Sequence, residues 1–124
     1  MNLLLDTHVV LWWLGDQRLT DAAYAAIATP DNAVFVSAAS AWEIGVKKAL
    51  GKLRAPDDLE ELLERERFMP LPVTIAHGLA VGSLPKVHGD PFDRLLVAQA
   101  GRESLTLVTR DERLGEYGIP IVLA

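Results

Sequence analysis

Four short apolar runs constrain this chain more than anything else in it. They are 2–5 (NLLL), 33–36 (AVFV), 105–108 (LTLV) and 119–123 (IPIVL), and the first three end directly on Asp6, Ser37 and Thr109. Each is too short for a helix and lacks the apolar–polar alternation of a half-exposed strand. Such runs suit strands buried on both faces of a parallel sheet. A fifth run, 68–71, wedged before Pro72, adds a short further strand.

Helical patterns fill the intervals. Thr7 to Leu14 carries an apolar stripe and stops at Gly15. Thr20 and Asp21 open a second helix that ends at Pro30. Residues 38–50 repeat apolar positions at helical spacing before Gly51. Pro56, Asp57 and Asp58 open a fourth, Thr74 caps a fifth that ends near Gly82 and Ser83, and 91–100 forms the last, stopped by Gly101. Strands alternating with helices predict a three-layer α/β/α domain with a central parallel sheet. The length of 124 residues fits one domain over 1–124, with only the stretch LPKVHG (84–89) reading as irregular.

The chain has no cysteine, which excludes disulfides and thiolate zinc sites and fits a reducing, cytoplasmic setting. Asp6 and His8 interrupt the N-terminal apolar stretch, unlike a signal peptide, and no run approaches the ~20 residues of a membrane span. A formal net charge of −5 disfavours a passive RNA-binding module, which needs Lys and Arg for phosphates. It disfavours a metal-using nuclease less, because bound divalent cations reverse the sign of an acidic pocket.

Ligands of open α/β sheets gather at the carboxyl ends of the strands. Asp6 ends the first strand there, Glu43 lies in the helix after Ser37, Asp93 stands in the first turn after Pro91, and Asp111 follows the 105–108 run. Two carboxylates about 5 Å apart repel by roughly 3 kcal/mol at an effective dielectric near 20. A cluster of four takes up protons unless a cation compensates. Oxygen-only ligands favour Mg²⁺ or Mn²⁺, which can activate water for attack on a phosphodiester. Each acid also fits a purely structural role. Asp6, Asp90 and Asp111 can cap helices, Glu43 stands three residues after Ser40 as in a capping box, and Asp93 is a favourable first-turn acid.

At this point the segments LLLDTHVVLWWL, SAASAWEIGVKKALGKL, HGDPFDRLLVAQA and LTLVTRD resemble the successive signatures of PIN domains, and more narrowly the VapC-like toxins of type II toxin–antitoxin systems. The resemblance runs from residue 2 to about residue 122. It implies an RNA-cleaving enzyme with Asp6, Glu43, Asp93 and Asp111 as metal-holding acids. Thr7, Thr109 and, with less weight, Ser37 match supporting polar positions, and Asp90 matches a peripheral acid. It further implies a small neutralising antitoxin and a homodimer.

Lys47, Lys48, Lys52 and Arg54 end the Glu43 helix, where they either guide RNA phosphates or offset the helix dipole. Lys47 is also spaced to pair with Glu43. Arg110 either contacts phosphate or pairs with an acid, and Arg94 has the same two options. His8 is read as the one histidine near the site, with His77 and His88 structural or exposed. Trp12 or Trp13 offers an interface contact, although at least one belongs to the core. Two rival functions stand beside the nuclease. A phosphoacceptor signalling domain would want paired acids near the first strand, which Asp6 lacks, and a non-catalytic RNA- or protein-binding module would not need the full acid set.

Overall fold

The computed structural model describes residues 1–15 and 18–124. Five apolar runs become strands: β1 (Asn2–Leu5), β2 (Ala33–Ser37), β3 (Met69–Leu71), β4 (Thr106–Thr109) and β5 (Ile121–Leu123). They form one sheet in the order β3-β2-β1-β4-β5, with every neighbouring pair parallel. The two-residue period of a strand sorts its side chains between the layers. Leu3, Leu5, Val34, Val36 and Val108 go to one face, packing with Val9, Val10, Ala23 and Ile27. Leu4 and Leu107 go to the other, packing with Ala39, Leu96, Val97, Ala100 and Leu114. This is why the runs read as continuously apolar: both faces are covered, as a three-layer α/β/α fold requires.

The helices are α1 (Thr7–Leu14), α2 (Asp21–Ala28), α3 (Ala38–Ala49), α4 (Leu59–Arg65), α5 (Ile75–Ala80) and α6 (Pro91–Glu103), with 3-10 turns at Val81–Ser83 and Glu112–Tyr117. Asp6 caps α1, Ser37 caps α3 and Asp111 caps the second 3-10 turn, each at or just beyond the end of a strand. Chain direction thus delivers polar caps and helix N-termini to one edge of the sheet. None of the described helices is long and apolar enough to cross a membrane.

Several expected boundaries move, most by a single residue, and three have a visible cause. Helix α6 runs through Gly101 to Glu103, and its left-handed cap falls on Ser104 (φ 56°). Glycine permits a helix stop without compelling one, and here Leu105 N–H closes back onto Ala100 O at 2.9 Å. Helix α4 starts at Leu59 and not at Pro56, because the Asp57 carboxylate is bound to Lys48 (2.6 Å) and Asp58 makes no side-chain cap. Strand β5 begins after Pro120, which has no N–H for the ladder.

Candidate active site

Asp6 stands where central strand β1 gives way to α1, and it is 8 % exposed. Thr109 of neighbouring β4 donates Oγ1–H to Asp6 Oδ2 at 2.7 Å, and His8 N–H approaches Oδ1 at 3.4 Å. Burial raises the Asp6 carboxyl above its ordinary range. The Thr109 hydrogen bond and His8 pull the other way, and the Glu43 charge adds to the rise. Glu43 comes from the second turn of α3, 4 % exposed, and is paired with Lys47 one turn on. Its alternative role as a capping-box acid does not arise. Ser37 caps α3, and the Ser40 hydroxyl instead accepts from Thr7 Oγ1 at 2.9 Å.

Asp93 enters from the first turn of α6, an arrangement made by Asp90. The Asp90 Oδ1 accepts from Phe92 N (2.8 Å) and Asp93 N (3.1 Å), and Pro91 supplies a first-turn residue without an N–H to satisfy. The Asp93 carboxyl is pushed up to about 7, first by burial and then by the charges of Asp6, Asp90, Glu43 and Asp111. Asp111, past the end of β4, has the opposite environment. Arg113 grips it with Nε to Oδ1 (3.0 Å) and Nη2 to Oδ2 (2.8 Å), holding its carboxyl down at about 2. Four carboxylates from four segments therefore act on one another at the carboxyl edge of the sheet. Among the described residues, no Lys or Arg pairs with Asp6 or Asp93. Oxygens of Asp93 and Asp111 also lie within 4.8 Å of each other and of a nitrogen of His88, a donor cluster of the size a cation fills.

Residues 3–120 match the PIN domain family. The chain is 35 % identical to Ribonuclease VapC22 of Mycobacterium tuberculosis over 124 residues, covering 96 % of this chain and 94 % of that one. The chain belongs to the PIN domain family. Its fold is similar to chains in two solved structures. One is VapBC2 of Rickettsia felis bound to a promoter DNA fragment (TM-score 0.74, 16 % identity, 99 % and 98 % of the two chains). The other is VapBC-1 of nontypeable Haemophilus influenzae (TM-score 0.68, 15 % identity, 99 % and 98 %).

Around the acids of this PIN domain, the other expected residues divide. Thr109 serves Asp6 directly and also accepts Asp111 N–H at 3.1 Å. Thr7 ties α1 to α3 through Ser40, one residue from Asp6. Ser37 is turned away from the acids. Its hydroxyl accepts Ala39 N–H and donates to fully buried Gln99, which in turn reaches Pro72 O and His77. Lys47 remains beside the site, close enough to feel Glu43, Asp90 and Asp93. Arg110 instead bonds Ala124 O (2.9 Å) and Arg18 O (3.0 Å) and covers the Trp12 ring at 3.9 Å. Trp12 and Trp13 are both half-buried, with Trp13 packed on Tyr24 and Phe68.

Three features went unread in the sequence. His88, expected to be structural or exposed, has Nε2 at 3.1 Å from Asp111 Oδ2 and 3.6 Å from Asp93 Oδ2. Its only sequence signal is its place in HGDPFD, two residues before Asp90. Arg113 is spaced i+2 from Asp111 but shared its neighbourhood with Arg110. Trp42, next to Glu43, is 61 % exposed and packs on Phe92, next to Asp93, at 4.9 Å between ring centres.

Proposed function

We propose that this chain is a metal-dependent endoribonuclease, the toxin of a type II toxin–antitoxin pair, with Asp6, Glu43, Asp93 and Asp111 as its catalytic acids. The observation that carries this reading is the gathering of Asp6, Glu43, Asp90 and Asp111 around Asp93, whose carboxyl is lifted to about 7 first by burial and then by those four charges. Kinship with a protein named as a ribonuclease supports the reaction, and likeness in fold to chains of VapBC complexes supports a protein partner. A small antitoxin, a homodimer and a cytoplasmic setting complete the proposal.

The donor set fits a hard divalent cation. It offers carboxylate oxygens from four segments, and the chain has no thiolate. Mg²⁺ or Mn²⁺ held by these four acids supplies Lewis acidity to the scissile phosphate and offsets the charge that develops there. The chain's own residues do the rest. Thr109 fixes Asp6 by donating to Oδ2, which leaves Oδ1 free of side-chain donors. Asp90 spends its carboxylate on the α6 N-terminus and thereby sets where Asp93 projects. Lys47 pairs with Glu43 and brings an ammonium to the rim, within reach of a phosphate. The exposed Trp42 ring, backed by Phe92, gives an unpaired base a face to stack on beside the acids.

The test is incubation of the partner-free protein with total RNA and Mn²⁺, in parallel with EDTA and with Asp6→Asn and Asp93→Asn. Cleavage that needs metal and disappears in both variants is the expected result. Cleavage that survives both substitutions contradicts the site assignment.

A further inference from the structure

Residues 84–89 are the irregular stretch before α6, and one side chain fastens them. Arg94 donates from Nη1 to Pro85 O (3.0 Å), His88 O (3.4 Å) and Tyr117 OH (3.2 Å), and from Nη2 to Val81 O (3.1 Å) and Leu84 O (3.5 Å). Tyr117 OH donates to the same His88 carbonyl at 3.4 Å. An arginine whose planar fork is spent on carbonyls of one segment shapes that segment and has little left for a phosphate. What it holds in place is the backbone of His88, whose side chain is 11 % exposed and directed at the acids.

The ring's proton is fixed by its neighbours. Asp90 N–H donates to His88 Nδ1 at 3.0 Å, so Nδ1 carries no proton and the neutral ring bears its hydrogen on Nε2. That hydrogen faces Asp111 Oδ2 at 3.1 Å and Asp93 Oδ2 at 3.6 Å. The opposite tautomer would set two N–H groups against each other at Nδ1 and take from Asp90 N–H the acceptor it has. Its one gain would be the Arg113 Nη2 approach at 3.0 Å, from a group already bound to Asp111. A nitrogen that bears hydrogen has no lone pair for a metal. In this arrangement His88, Asp93 and Asp111 form a hydrogen-bonded assembly whose lone pairs open to a cation are those of the oxygens.

We propose that His88 is a positioning residue of this site, donating from Nε2 to set the Asp111 carboxylate beside Asp93, and that it is not a ligand of the cation. The inference rests on the acidic-site reading above. Imidazole so placed acts as carboxylate partners do around other metal sites, where loss of an orienting group typically costs 10–100-fold in metal affinity or activity.

Two measurements test it. The first is ¹⁵N NMR of the His88 ring in wild-type protein, with and without Mg²⁺. A protonated Nε2 and a bare Nδ1 in both states is expected. A bare Nε2, or one whose resonance moves as a ligand's would when Mg²⁺ is added, overturns the proposal. The second compares Mn²⁺ affinity, read by calorimetry, in His88→Ala and His88→Gln. Alanine should weaken binding roughly 10- to 100-fold, and glutamine, whose amide N–H can stand near Nε2, should restore most of it. Equal affinities in the two variants would contradict the donor role. If wild type neither binds Mn²⁺ nor cleaves RNA, the nuclease reading fails, while the ring's proton assignment still decides the role of His88.

Discussion

Asp93 and Asp111 face the same imidazole nitrogen, yet their surroundings treat them in opposite ways. Asp93 is half-buried among Asp6, Glu43 and Asp90, and its carboxyl is lifted to about 7. Asp111 sits at the rim, where the Arg113 guanidinium holds it at about 2. The difference is one of compensation. Inside the cluster the chain brings like charges together at the sheet edge and places no Lys or Arg of the described residues on Asp6 or Asp93. At the rim it supplies its own cation.

The largest effect should come from the uncompensated side. Asp93→Asn is expected to reduce RNA cleavage by about 10²- to 10³-fold, the scale on which an electrostatic group acting in the transition state is lost. The same variant should be more stable than wild type when metal is stripped at pH 8, because it removes a repelled charge. Loss of both activity and metal-free stability would break the comparison. Thermal unfolding in EDTA distinguishes the two outcomes.

The pH dependence follows from the same group. Asp93 titrates near 7 in the fold against an ordinary 3.8, so its protonated form favours folding. That contribution is complete below about pH 4 and is lost as pH rises through about 7. It amounts to something on the order of 2–4 kcal/mol. Denaturant unfolding of the metal-free protein at pH 5 and pH 8 should show stability falling with pH, and the slope should flatten in Asp93→Asn.

A smaller effect is expected at the hydrogen bond that steadies Asp6. Thr109→Val keeps the shape of the side chain and removes the donor to Oδ2. It should cost about 1.5–3 kcal/mol of stability at neutral pH, the range for a hydrogen bond to a charged group. Unfolding midpoints measure it directly, and no change would mean that Asp6 has another partner. The smallest effect belongs to the rim. Arg113→Ala should leave neutral-pH stability nearly unchanged, since an exposed ion pair contributes little. Its small cost should be the same at every pH above about 4 and should vanish on acidification towards pH 2, where Asp111 is protonated and the pair is lost in wild type as well.

The fold was legible because both-faced burial leaves a plain mark. Leu3–Leu5 and Leu107–Val108 have no polar alternation because helices cover both sides of β1 and β4. The placement of the four acids was legible for a related reason, since Asp6 and Asp111 follow strands, Asp93 begins a helix and Glu43 lies in the second turn of one, all at the same edge of the sheet. Partners that depend on side-chain reach were not. Arg110 and Arg113 look alike in the sequence, but one reaches the chain's last residue and the other Asp111. Ser37 seemed placed for the acids, yet its rotamer serves Gln99, sixty-two positions away. His88 lies in a segment without regular structure, held at the site by Arg94, Tyr117 and the Asp90 N–H.

In the proposed function Asp6, Glu43, Asp93 and Asp111 form a cation site whose repulsion the metal relieves. Calorimetry of Mn²⁺ binding at pH 7, repeated in buffers of different ionisation enthalpy, tests it most directly. Binding is expected with release of about half a proton, because a carboxyl lifted to about 7 is near half-protonated at that pH and must ionise to accept the ion. That proton release should vanish in Asp93→Asn. Absence of Mn²⁺ binding, or tight binding with no proton released, would contradict it.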